Sequence, residues 1–284
     1  MLGQQVMAAL ADRQVEHVGT DLDVDLCDPA AVARHGEQSV PTVIVNCAAY
    51  TNVDGAEADE RSAFAVNADG PENLGRTALH VGATVVHFST DYVFDGTGHD
   101  PYVESDPPGP LGIYGKSKYE GERRLLALGC SLVLIRTSWL FGPGGKNFVA
   151  TMLDLMSSRE ELRVVSDQIG RPTYAPDLAD AALDLAGLGA QPAVHRGTHH
   201  VANNGTTSWH GFACKILERA PAFGRAVVTR TIHPIATHEF PRPAPRPAWS
   251  VLDTTRAERA LGRPLRHWTE ALDEYLDATR PAER

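Results

Sequence analysis

The sequence predicts an α/β fold, a doubly wound parallel sheet with a smaller lobe toward the C-terminus, and three observations carry that prediction. The run PTVIVNCAAY (41–50) is nearly continuously apolar, as strands buried on both faces of a parallel sheet are, and ATVVHFSTDYVF (83–94) and CSLVLIRTSWLFG (130–142) are further β-rich runs. Helical patterns long enough for crossover connections separate them. After Gly142 the texture changes to shorter strand, loop and helix units. A division follows, with 1–142 as the sheet domain and 143–284 as mainly a lobe, partly interleaved with it.

Each element has a local reason. QQVMAALADR (4–13) is rich in strong helix formers, so a helix fills the stretch from Met1 to about Arg13. VEHVGTDL (15–22) reads as a short strand. A second helix starts near Asp28-Pro29, where aspartate caps free amides and proline suits the first turn. DERSAFAVNADGPENLGRTALHVG (59–82) reads as helix broken at Gly70-Pro71. After the loop GTGHDPYVESDPPGP (96–110), YGKSKYEGERRLLAL (114–128) is a charged amphipathic helix. In the lobe, 148–158 is helical, while 162–186 and 199–220 each read as strand, loop and helix. The proline-rich 233–253 is extended, since proline removes a backbone donor and disfavours a preceding helix.

Charge and composition narrow the function. With 26 Lys+Arg against 36 Asp+Glu the net charge is −10, which argues against a chain that holds nucleic acid through rows of cations. A local basic site for one small phosphate ligand stays compatible with it. No apolar run approaches the roughly 18 residues of a membrane span, and the first residues lack the basic start of a secretory signal. A cytoplasmic chain without a membrane partner is expected. Cys27, Cys47, Cys130 and Cys214 are isolated from one another and are expected as buried free thiols. No metal site is expected, at His199 and His200 or elsewhere, and Trp209 reads as core packing.

The sharpest chemical signal is Tyr114-Gly115-Lys116-Ser117-Lys118. Residues four apart share a helix face, so the Tyr114 hydroxyl and the Lys118 ammonium can enter one cleft. A nearby cation favours phenolate and is expected to lower the tyrosine pKa. The chain has only four lysines, Lys116, Lys118, Lys146 and Lys215, so a lysine at this position is informative; lysine also titrates where arginine does not. Ser89 and Thr90 close an apolar strand, where a hydroxyl can polarise the carbonyl that Tyr114 protonates, or can instead bond its own backbone in a turn. Arg242 and Arg246 suit either a diphosphate or a solvated loop.

These motifs resemble the dTDP-4-dehydrorhamnose reductase family of the extended short-chain dehydrogenase/reductase superfamily. The resemblance runs through VNCAAYTNVDGAE (45–57), VNADGPENL (66–74), HFSTDYVFDGTG (87–98), YGKSKYEGE (114–122), RTSWLFG (136–142), DQIGRPT (167–173) and RPAWSVLD (246–253). It implies a Rossmann-type sheet and an NAD(P)H-dependent reductase of a dTDP-bound 4-ketosugar. Thr90, Tyr114 and Lys118 match its catalytic residues, and Thr90, Asp91 and Trp139 match positions that contact the sugar nucleotide. Ala48, Ala49, Tyr50 and Phe88, with Tyr114 and Lys118, match positions lining NADH or NADPH; Asp25 and Leu26 resemble the pair beside the adenine. Asp21 falls where a carboxylate can bind the ribose and repel a 2′-phosphate, which leans toward NADH. A homodimer is a candidate assembly. Two other functions stay open: a related ketosugar reductase of antibiotic biosynthesis, such as a dihydrostreptose synthase, and a non-catalytic regulatory subunit.

The resemblance has one departure. Family members open with a buried strand and a glycine-rich turn that holds the pyrophosphate, whereas Met1-Leu2-Gly3 matches only the end of that turn. Met1 and Leu2 are therefore the expected remnant of the phosphate cradle. The expectation is a start assigned to an internal methionine, with a strand and turn of roughly a dozen residues upstream; the chain as it stands is expected to bind NADH poorly and to fold marginally.

Overall fold

The protein is described by a computed structural model covering residues 1–190 and 192–281. A central sheet joins β1 (Val43–Asn46), β2 (Thr84–Thr90) and β3 (Ser131–Thr137); apart from it, β4 (Glu161–Val165) comes next in the chain. The central sheet is completed by β5 (Gly197–His200), while β6 (Thr231–Ile235) pairs in parallel with β4. The central order is β1-β2-β3-β5, every pair is parallel, and the register sets Asn46 opposite His87 and Thr90 opposite Thr137. β2 and β3 thus end side by side at their carboxyl ends.

The two-faced apolar pattern produces helices on both sides. Val86, Phe88, Val133 and Ile135 pack on Leu178, Ala181, Ala182 and Leu185 of α6 (Ala175–Leu185). The alternate positions Val85, Leu132 and Leu134 pack on Ala78 of α3 (Gly70–Val81) and Leu125 of α4 (Ile113–Leu128). Next to α6 lies α1 (Leu2–Asp12), through Val6 and Leu10; α2 (Pro29–Ser39) is capped by the Asp28 side chain. A second core gathers Phe141, Phe212, Trp268 and Tyr275 around α5 (Phe148–Met156), α7 (Trp209–Arg219) and α8 (Trp268–Ala278).

Several expectations are corrected. Residues 15–20 form no strand, because among the described residues no neighbour offers them a hydrogen-bonded ladder. The strand through 83–94 stops at Thr90: its Oγ1 accepts the Tyr92 amide at 3.2 Å, and Asp91–Val93 forms a 3-10 turn. Gly70-Pro71 does not break its helix. The chain runs from helix Glu60–Phe64 through a π turn, Ala65–Asp69, directly into α3. Pro71 has no amide to donate to Asn67, and a π turn absorbs such a fault without ending the helix. Cys27 is exposed rather than buried, on a surface turn; Cys47, Cys130 and Cys214 are half-buried, and all four thiols are free. No helix of the described residues is long and apolar enough to cross a membrane.

The Asn67 carbonyl faces α4 at Gly121, where an added Cβ would lie 2.1 Å from that oxygen. Gly121→Ala must therefore push α4 away from the π turn. We expect a loss of about 1–3 kcal/mol, the usual cost of overpacking, read as a lower thermal midpoint; an unchanged midpoint would refute this contact.

Candidate active site

The site is built at the carboxyl ends of β1, β2 and β3, where open α/β sheets bind ligands. Beyond β1, Ala48, Ala49 and Tyr50 form a partly open loop. Asn67, fully buried, fixes it: its side chain accepts from the Tyr50 amide at 2.9 Å and donates to the Tyr50 carbonyl and to the Ser117 hydroxyl of α4. Ser117 in turn donates to the Tyr114 carbonyl at 2.8 Å. One asparagine thus ties the loop after β1 to the helix that carries Tyr114 and Lys118.

The first turn of α4 lies hard against the turn after β2. A Cβ at Gly115 would stand 2.2 Å from the Tyr92 carbonyl oxygen, so only glycine permits this approach. It brings Tyr114 edge-on to Tyr92, centroids 5.5 Å apart, and beside Thr90 and Asp91. Lys118 is 2% exposed, and its Nζ donates to the Phe88 carbonyl at 2.6 Å. Thr90 Oγ1 donates to Asp91 Oδ1 at 3.0 Å, leaving the buried Asp91 Oδ2 without a partner among the described residues.

Burial dominates the protonation of these groups. It pushes the Lys118 ammonium down to about 8, against the favourable charge of Glu122. It raises Asp91 to about 6, against the opposing pull of the nearby Ser250 hydroxyl and of the hydrogen bond from Thr90. Tyr114 is pushed up to about 12 by burial, with Thr90 pulling down and the Asp91 charge pushing up. The expected lowering of Tyr114 by Lys118 is not found: desolvation prevails, and the charge that acts on the phenol is that of Asp91, which pushes it up. Tyr114 is consequently a phenol at neutral pH, the form that a proton donor requires.

The sequence-predicted residues divide. Ala48, Ala49, Tyr50, Phe88, Thr90, Asp91, Tyr114 and Lys118 meet around the ends of β1 and β2. Trp139, beyond β3, adopts a left-handed φ of 48° and stacks on Trp209 with centroids 3.6 Å apart. Trp209 thereby joins Trp139 to the edge of the second core, a contact that its place in the sequence did not signal. Leu2 turns its side chain into the core, and Met1 lies under the loop at Gly145. Asp21 and Asp25 are exposed, on the surface stretch before α2; the Leu26 carbonyl is tied to Asn73 at 2.8 Å. Arg242 and Arg246 both hold the Asp54 carboxylate, Arg246 at 2.9 Å.

The donor set suits a nicotinamide dinucleotide. Lys118 gives one of its three ammonium hydrogens to Phe88, leaving two for a pair of ribose hydroxyls. Small Ala48 and Ala49 leave the loop after β1 open to a flat ring or a pyrophosphate.

Comparison with known proteins agrees with this arrangement. Residues 1–280 match the family described as the RmlD substrate binding domain. The dTDP-4-dehydrorhamnose reductase of Mycobacterium tuberculosis is 43% identical over 262 residues, 89% of this chain and 82% of that protein. A crystal structure of a dTDP-4-dehydrorhamnose reductase from Clostridium acetobutylicum superposes with a TM-score of 0.91 at 38% identity, covering 99% of this chain and 96% of that one. The Bacillus anthracis enzyme, solved in complex with NADP, gives 0.91 at 36% identity, covering 98% and 95%. With this fold, these motifs and this degree of identity, the chain belongs to the RmlD family, that of the dTDP-4-dehydrorhamnose reductases.

Proposed function

We propose that the chain reduces the 4-keto group of dTDP-4-dehydro-6-deoxy-L-mannose to give dTDP-L-rhamnose, using NADH or NADPH, as a cytoplasmic enzyme and a homodimer. The observation that carries this reading is the meeting of Thr90, Tyr114 and Lys118 at the end of β2 in a chain of this family. NAD(P)H, when bound, supplies the hydride for sugar C4. Tyr114 Oη gives its proton to the C4 oxygen as charge develops there. Thr90 Oγ1 turns a hydrogen bond toward that oxygen and exchanges it with Asp91 in the resting chain. Lys118 binds ribose hydroxyls with the ammonium hydrogens that the Phe88 carbonyl leaves free. Asp91, through its free Oδ2, takes a sugar hydroxyl, and Trp139 walls the sugar. The complete set weighs against a purely regulatory subunit. Oxidation of NAD(P)H that depends on the dTDP-ketosugar tests the reading; binding of the cofactor without oxidation would favour the regulatory role.

The Lys118 pKa fixes a pH dependence. Catalysis needs the ammonium, so kcat/KM is expected to fall as pH rises past about 8. Stability should move the other way. The folded value lies below the ordinary 10.5, so between about 8 and 10.5 the unfolded chain binds more protons and stability rises with pH. A chain that kept full kcat/KM well above pH 8 would refute the role assigned to Lys118.

A further inference from the structure

Beneath Lys118 lies a buried ion pair to which the chemistry above gives no task. Glu122, one turn beyond Lys118 on α4, is 0% exposed, and Arg136 of β3 is 4% exposed. The guanidinium grips the carboxylate twice, with Nε 3.0 Å from Oε1 and Nη2 2.7 Å from Oε2. Its Nη1 has no acceptor among the described residues, and its guanidinium carbon lies 5.1 Å from the centre of the Phe94 ring. Stability is a weak reason for such a pair, because desolvating two charges costs about as much as their attraction returns.

Position supplies a better reason. The spacing of four puts Glu122 on the helix face of Lys118, and its carboxylate is the charge that favours the Lys118 ammonium against burial. Arg136 occupies both carboxylate oxygens from the neighbouring strand. Glu122 is thereby kept from swinging onto Nζ, which stays on the Phe88 carbonyl. We propose that Glu122, clamped by Arg136, is a positioning residue that supplies the buried counter-charge for Lys118 and leaves the ammonium free for its ligand. The inference rests on the reading of Lys118 as the catalytic lysine.

Besides Glu122, α4 carries Tyr114, Lys116, Tyr119, Glu120, Arg123 and Arg124; His87 stands on β2, and Asp91 and Tyr92 in the turn that follows. Arg136 stands on β3; Asp69 of the π turn and Glu72 of α3 are engaged by Arg124. His87 is held neutral by burial and by the Lys118 charge, so it adds no competing cation.

With only four lysines in the chain, the charge on Lys118 can be followed directly. Lysine labelled with carbon-13 at Cε gives one resonance each, and the one missing from Lys118→Met is that of Lys118. In the cofactor-free protein its titration midpoint is expected near 8. Glu122→Gln should lower it by about one pH unit or more, the size of shift a nearby opposite charge produces, and Glu122→Asp should restore most of it. Glu122→Gln paired with Arg136→Gln leaves no unpaired buried charge. That chain keeps the test open if the single variant does not fold, and it should shift in the same direction. An unmoved Lys118 midpoint in a folded variant overturns the inference while leaving the catalytic reading intact. Full turnover by Lys118→Met overturns the catalytic reading instead, even if the midpoint moves.

Discussion

Tyr114→Phe is expected to lower kcat by a factor of about 10²–10⁴, the usual contribution of a positioned proton donor, with NAD(P)H affinity nearly unchanged. The basis is geometric. Phenylalanine keeps the ring that meets Tyr92 edge-on at 5.5 Å, and it keeps the close approach of α4 at Gly115. What disappears is one hydroxyl, which burial holds as a phenol with a pKa near 12. A phenol of that kind holds its proton, and so can give it, throughout the neutral range. Steady-state kinetics together with a cofactor titration checks the expectation. A variant with unchanged kcat would remove Tyr114 from the chemistry, and one that lost cofactor binding as well would make its role structural.

Lys118→Met should behave differently, losing turnover and cofactor affinity together, by at least an order of magnitude each. It should nonetheless unfold at a temperature no lower than the parent. Burial lowers the Lys118 pKa from 10.5 to about 8, which corresponds to a cost of about 3 kcal/mol for keeping the ammonium charged inside the protein. Methionine fills a similar space without that charge. The Phe88 carbonyl left unpaired offsets part of the gain. Thermal unfolding beside kinetics separates the outcomes. A clear fall in the midpoint would mean that Lys118 is kept for stability rather than for its charge in the site.

The parts of this site that the sequence reveals are those with a short physical signature. Tyr114 and Lys118 lie four apart on one helix, and Thr90 ends an unmistakable apolar run, so residue order alone brings out their shared face. Glu122 carries the same spacing signal one turn further on. The parts that stay hidden depend on distant partners. Nothing near Arg242 points to Asp54, 188 residues earlier, so an exposed-looking arginine pair proves to be tied to a carboxylate. The stack of Trp209 on Trp139 likewise depends on the antiparallel pairing of Ile169 with Ser208. Asn67 needs both the π turn and the close contact of α4 before it can bridge Tyr50 and Ser117. For 15–22 the residues suit a strand, but a strand exists only beside a neighbour.

The most direct test of ketosugar reduction by this chain follows the hydride itself. The full chain is incubated with dTDP-4-dehydro-6-deoxy-L-mannose and NADPH or NADH carrying deuterium at nicotinamide C4, and the product is read by nuclear magnetic resonance. The expected product is dTDP-L-rhamnose with deuterium at sugar C4, formed in step with cofactor oxidation and absent from Tyr114→Phe. Unreduced ketosugar in the presence of bound cofactor, or product labelled anywhere but C4, would contradict the assignment.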